Sequence, residues 1–188
     1  MTMTDSLFVP QPVRRATLAD LEGLSGLIEA AYRGPESLTG WTSEAGMLDG
    51  QRMSQAELTE AIMGEGRVML LVAGGDGAPI GCAGLTRTEA GAEFGKFAVR
   101  PALQSGGLGK RLLAACEDFL SRQWGGGLMT LTVIQGRPEL RAYYERRGYR
   151  ATGATLALAS VHDAPGWTRG RDLILEEMAR PVPPGPAS

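Results

Sequence analysis

The sequence predicts one mixed α/β domain, a sheet of about seven strands flanked by helices in the order βααβββαβαββ. Three observations predict it. A length of 188 residues with 43% hydrophobic content fits a single domain with a full core. Apolar residues recur at helical spacing in some segments and form short continuous runs in others. The second half reads strand, helix, strand, which implies a parallel βαβ unit after an antiparallel meander.

Taken in order, Val13–Ala16 is a short strand, and Thr17-x-x-Asp20 resembles a capping box with Asp in place of Glu. Leu18, Leu21, Leu24, Leu27, Ile28 and Ala31 then repeat at helical spacing. From Gly34 to Met53 the period is lost among Gly, Pro, Ser and Thr, yet Tyr32, Trp41 and Met47 lie in or beside this stretch. A long loop with large side chains is more often functional than idle. Ser54-x-x-Glu57 opens a second helix through about Gly64, and Arg67–Ala73 is a short buried strand. Turns at Gly74–Gly77 and near Ala90-Gly91 bound strands Ile80–Arg87 and Ala92–Val99. Leu108, Leu112, Cys116, Phe119 and Leu120 mark a helix to about Trp124, and Leu128–Ile134 is the next strand. Pro138 opens a helix through Arg147 that Gly148 caps, before strands near Tyr149–Leu158 and Asp172–Ala179.

Composition excludes several classes. A net charge of −2 gives no basic field for a phosphate backbone, which argues against nucleic acid as the main partner. Cys82 and Cys116 lie in apolar contexts without CxxC spacing, so they read as buried free thiols in a reducing compartment, with no disulfide framework and no metal site. No run approaches the roughly 18 apolar residues of a membrane helix, and Met1–Pro12 lacks signal-peptide character, which points to a cytoplasmic protein with no membrane partner. Pro10 and Pro12 at one end and PVPPGPAS at the other place the domain at about 12–181 between a loose 1–11 tail and a loose 182–188 tail.

The most informative segment runs from Val99 to Arg111, VRPALQSGGLGKR. A strand ends, a Gly-rich turn follows, and a helix begins with Lys110 and Arg111 in its first turn. Glycines admit close backbone approach, and the free N–H groups of a helix start point at whatever lies in front, so this is an anion site suited to a diphosphate. A P-loop would need Gly at position 104 and Ser or Thr at 111, where Gln104 and Arg111 stand. A dinucleotide fingerprint would need Gly or Ala at 112, which is Leu112.

Gln104-x-x-Gly107-x-Gly109 after a strand ending in Val-x-Pro resembles the acyl-CoA pyrophosphate loop of the GNAT superfamily of N-acetyltransferases. Pro138–Tyr149 is similar to that family's second motif, a helix carrying Tyr followed by three residues, Gly and an aromatic. Position 137 departs from it, being Arg137 where the family often has Asn.

The resemblance implies a single-domain GNAT-like fold, acetyl-CoA as acyl donor, no metal, and transfer to an amine by direct attack through a tetrahedral intermediate. It implies that the backbone of Gln104, Ser105, Gly106, Gly107, Leu108, Gly109 and Lys110, with charge from Lys110 and Arg111, surrounds the diphosphate. It further implies that strands Glu93–Val99 and Leu128–Ile134 splay around the pantetheine arm, so that Phe97, Ala98 and Val99 offer backbone donors to the oxyanion. Tyr144 would act as general acid at the sulfur. Glu93 matches the position of the catalytic glutamate in histone-type members, and even spacing puts Glu93, Gly95, Phe97 and Val99 on one face. His162, the only histidine, sits in a polar loop and reads as solvated.

Helix one, the long loop and the final hairpin would form the acceptor pocket, with Tyr32, Trp41, Glu44 and Asp49 as candidates. Aromatic walls plus a carboxylate suit a cationic amine. A small-molecule amine is the expected acceptor. The alternatives are a protein lysine or N-terminus, or a non-catalytic acyl-CoA-binding regulator. Many relatives pair through sheet edges or helices, which leaves a homodimer open.

Overall fold

Asp20 sets the start of the first helical segment. Its carboxylate accepts from the Thr17 amide at 2.9 Å, the Thr17 hydroxyl at 3.1 Å and the Arg14 guanidinium at 2.6 and 2.8 Å. One 3-10 turn, Leu18–Asp20, comes first, and the α-helix proper, α1, is Leu21–Tyr32. Leu18 therefore stays 50% exposed, while Leu24, Leu27, Ile28 and Ala31 are buried along one stripe. The computed structural model describes residues 10–33, 35, 37, 52–158 and 172–186. Trp41, Glu44, Met47, Asp49 and His162 lie outside the described residues.

Ser54 caps α2 (Gln55–Met63) as its spacing predicts: its hydroxyl accepts from the Glu57 amide at 3.2 Å, and the Glu57 carboxylate accepts from the Ser54 amide at 2.7 Å. The remaining helices are α3 (Leu108–Gln123) and α4 (Pro138–Glu145). The strands are β1 (Arg14–Arg15), β2 (Arg67–Ala73), β3 (Pro79–Arg87), β4 (Gly91–Val99), β5 (Gly127–Ile134), β6 (Arg150–Ala157) and β7 (Ile174–Val182). Their order in the sheet is β1-β2-β3-β4-β5-β7-β6, and β4 with β5 is the parallel pair. Element order and the seven-stranded mixed sheet agree with the sequence reading. Near the chain's ends, the Gln11 amide bonds to Ala73, and the Pro183 carbonyl and Gly185 amide bond to Ser121.

Each face of the sheet has its own core. Residues of β2 to β5 and β7 pack with Leu108, Leu112, Leu113, Cys116 and Leu120 of α3 and with Tyr144 and Tyr149. The opposite face of β2, β3 and β4 packs Met69, Leu71, Cys82 and Ala98 against α1 and α2. Burying each large apolar side chain contributes about 1.5–3 kcal/mol, and the two layers leave the middle strands covered on both sides.

Two irregularities position the site. β4 pairs with β5 only at Gly91↔Leu128, Ala92↔Met129 and Glu93↔Thr130. Beyond this point β4 follows β3 to Gly81↔Val99, and β5 follows β7 to Ile134↔Leu175, so the two parallel strands part into a fork. The second is a bulge in β4: between Cys82↔Ala98 and Gly84↔Gly95 one extra residue is inserted, with Lys96 at φ 50°. The bulge reverses side-chain parity. Ala92, Phe94, Phe97 and Val99 all belong to the α3 side, and Ala98 to the α1–α2 side. Glu93 thus does not share a face with Phe97 and Val99, correcting the even-spacing expectation, because that rule holds only for an uninterrupted strand.

Candidate active site

A cavity of about 700 Å³ opens at the fork. Its walls come from both sides of the sheet: Phe97, Val99, the Gln104–Lys110 turn, Leu131, Val133 and Tyr143–Tyr144 on one side, and Tyr32, Arg52, Met53, Glu57, Arg67, Glu93, Lys96 and Ala98 on the other.

The glycine-rich turn forms one end. After a 3-10 turn at Pro101–Leu103, Ser105 adopts φ 71° and Gly107 φ 83° before α3 begins. Lys96 and Ser105 are the two non-glycine residues with positive φ among the described residues, and both line this cavity. Strained backbone of this kind concentrates at functional sites. Gly107 is the N-cap of α3 and no side chain caps it, so the first-turn N–H groups keep their donors for a ligand. Gly109 has a second reason to be glycine. A Cβ there would lie 3.0 Å from the Phe97 ring and 3.2 Å from the Tyr143 hydroxyl, so the helix start sits directly on those aromatics.

The expected anion-binding residues separate in position. Gln104, Ser105, Gly107, Gly109 and Lys110 line the cavity. Leu108 is buried, its side chain in the α3 core. The Arg111 guanidinium turns away and donates to the Gln11 carbonyl, tying the N-terminal segment to α3. Arg111 does not line the cavity.

Along the open edge of β4, the Phe97 carbonyl accepts the Tyr32 hydroxyl at 2.7 Å, and the Val99 carbonyl accepts the Gln104 side chain at 3.2 Å. Alternate residues of a strand present their amides to the same side, so the Phe97 and Val99 N–H groups face the fork as well. Both Tyr32 and Gln104 therefore act as struts for this edge. Neither role was visible in the sequence: the Tyr32 contact joins distant segments, and the Gln104 contact, five positions long, depends on how the chain turns after β4.

Tyr144 is buried at the fork, edge-on to Phe94 with centroids 6.4 Å apart and to Tyr143 at 5.1 Å. Burial pushes its phenol well above the ordinary range, with Tyr32 and Tyr143 adding to the shift and Arg137 and Arg147 opposing it. Tyr143 is half-buried under the Arg147 guanidinium, 3.4 Å from the ring centroid. Sequence reasoning singled out Arg137 only as a departure from a motif. The structure buries it to 6% exposure in the cavity wall, with its guanidinium 3.3 Å from Glu139.

Glu93 is exposed and stands at the last paired position before the strands part. Cys82 and Cys116 are free and buried, and burial pushes the Cys82 thiol up to about 12 and Cys116 further still. Neither is a usable nucleophile. The arrangement can hold an anion at the helix start, thread an extended chain between β4 and β5, and present backbone donors, a protonated phenol and a carboxylate where that chain ends.

The acetyltransferase (GNAT) domain family matches residues 42–162. No curated protein matches the chain. Among solved structures, the ribosomal-protein-S18-alanine N-acetyltransferase of Escherichia coli superposes with a TM-score of 0.68 at 16% identity, covering 96% of this chain and 98% of that one. A phosphinothricin acetyltransferase of Sinorhizobium meliloti in complex with AcCoA gives 0.65 at 21% identity, covering 94% and 91%. The spermidine N-acetyltransferase of Vibrio cholerae with CoA and spermine gives 0.63 at 18% identity, covering 91% and 95%. These likenesses concern the fold, and they agree with the family match over most of the chain. With its forked parallel pair, uncapped glycine turn and matching domain, the chain belongs to the GNAT acetyltransferase family.

Proposed function

We propose that this protein is an N-acetyltransferase that moves an acetyl group from acetyl-CoA to the primary amine of a small molecule. The observation that carries the reading is the coincidence, in one cavity, of an uncapped helix start and two strand edges that are unpaired beyond Glu93↔Thr130. Both features fit the donor: free N–H groups match a diphosphate, and an open strand edge matches the amide-bearing pantetheine arm. Bound there, acetyl-CoA supplies a thioester-activated acetyl group.

The chain's own residues supply the rest. The amides of Ser105 and Gly107 to Lys110 hold the diphosphate, whereas the Gln104 amide, expected to join them, is bonded to the Pro101 carbonyl at 3.2 Å. Backbone N–H groups of β4 at Phe97 and Val99 face the position where carbonyl charge develops, and their carbonyls are held by Tyr32 and Gln104. Tyr144 keeps its proton and directs it at the departing sulfur. Glu93, on the opposite face, takes the proton from the incoming amine. Buried thiols with raised pKa favour direct attack over a covalent cysteine intermediate. We place this chemistry in one catalytic domain over about 12–181 and the protein in the cytoplasm, where both thiols stay reduced. Among the described residues no helix is long and apolar enough to cross a membrane.

The test is thiol release from acetyl-CoA with a panel of small primary amines and, separately, a panel of lysine-containing and N-terminal peptides. Amine-dependent release with the small molecules supports the reading. Release with peptides alone transfers the acceptor to the protein class.

A further inference from the structure

We infer that the acceptor amine carries an anionic group, a carboxylate in the first instance, and that Lys96 binds it on the α1–α2 face of the cavity. The inference rests on the acetyltransferase reading above.

Lys96 is the extra residue of the β4 bulge, and its left-handed backbone, φ 50°, is unusual for a lysine. The bulge lays its stem across β3. Gly84 makes room for it: a Cβ there would lie 3.4 Å from Lys96 Cδ and 2.8 Å from the Met69 sulfur. Lys96 held this way lines the cavity, and among the described residues no hydrogen bond or ion pair reaches its ammonium. Burial lowers its pKa, Arg67 and Arg52 push in the same direction, and Glu93 and Glu57 oppose them. Three cations thus share one wall.

Three carboxylates, Glu57, Glu60 and Glu93, line the same wall, and among the described residues none forms an ion pair with Lys96. Glu60 is committed to Arg67 at 3.2 Å. Glu57 holds the Ser54 amide and hydroxyl at 2.7 Å each, as the cap of α2. Glu93 remains, at the fork. A ligand anion would give a partly buried, unpaired ammonium its partner. A cavity with a carboxylate at the fork and a lysine beyond it suits a molecule whose amine points to the thioester and whose acid points away.

The experiment compares amino acids with their carboxamides and with the corresponding decarboxylated amines, at saturating acetyl-CoA. Thiol release is measured for wild type, Lys96→Met and Lys96→Arg, and an acetyl-CoA thermal shift is recorded for each protein. Acids are expected to exceed their neutral partners in kcat/KM by about tenfold or more. Lys96→Met should raise KM for the acids by roughly 10- to 100-fold, the range of a charge-assisted hydrogen bond, with kcat changed far less. Lys96→Arg should keep the preference. Neutral partners used as well as acids, an undiminished preference in Lys96→Met, or no acid turned over by wild type would overturn the inference. The thermal shift separates the failures. Its absence in wild type removes the acetyl-CoA reading itself, whereas a normal shift with the wrong preference removes only the anionic acceptor.

Discussion

Tyr144 holds its proton because its hydroxyl is buried among aromatic rings, and two nearby guanidiniums only partly offset that burial. The consequence for catalysis has a definite sign. A phenol whose pKa is raised stays protonated beyond pH 10, so alkaline solution below that point should not disable it as a donor. Tyr144→Phe is expected to lower kcat by about 10²-fold or more, the usual scale for a positioned acid, while leaving the acetyl-CoA thermal shift intact. A wild-type pH–rate profile should show no fall assignable to Tyr144 below pH 10. A decline centred near pH 8 to 9 that disappears in Tyr144→Phe would contradict this account of the residue. Tyr144 was legible in the sequence through its position before Gly148 and Tyr149. The work of Tyr32 was not, because its hydroxyl reaches 65 positions along the chain to the Phe97 carbonyl.

At the scale of elements, local chemistry decided what could be read. Ser54 and Glu57 announce α2 because a capping box is a contact over three residues. The β4 bulge escaped because GAEFGKFAV reads as an unbroken strand, although Gly95 inside it is the kind of signal that marks a bulge. That single inserted residue moves Phe97 to the α3 side and leaves Glu93 facing α1 and α2. The start of α1 gives a measurable element-level effect. Arg14 and the Thr17 amide hold Asp20 down to about 2 from 3.8, and a depressed carboxylate stabilises the fold above its unfolded value. This contribution should be complete above about pH 4 and lost as pH falls toward 2. Asp20→Asn should cost about 1 kcal/mol at neutral pH, discounted because Arg14 is 46% exposed. Denaturant melts at pH 7 and pH 2.5 check it: the gap between wild type and variant should shrink at the lower pH, and an unchanged gap would contradict the assignment.

For the whole molecule, the sheet is continuous except where β4 and β5 part. Antiparallel partners hold β4 on one edge and β5 on the other, so the pair can part without either strand losing its place. This architecture was legible in order and type, since strand, helix, strand implies a parallel pair. The fork itself was not, because both strands have the same apolar pattern whether or not they hydrogen-bond to each other. Only the family resemblance suggested it, and the register shows pairing that stops at Glu93↔Thr130.

The most direct test of the central claim is a thermal-shift titration with acetyl-CoA on wild type and on Gly107→Trp, which puts an indole where the uncapped N–H groups point. A ligand that binds only the folded state adds RT ln(1 + [L]/Kd), about 2.7 kcal/mol at a hundredfold excess over Kd. Wild-type Tm is expected to rise clearly, and Gly107→Trp to lose that rise while still melting cooperatively. No rise in wild type at millimolar acetyl-CoA would contradict the acetyl-CoA reading.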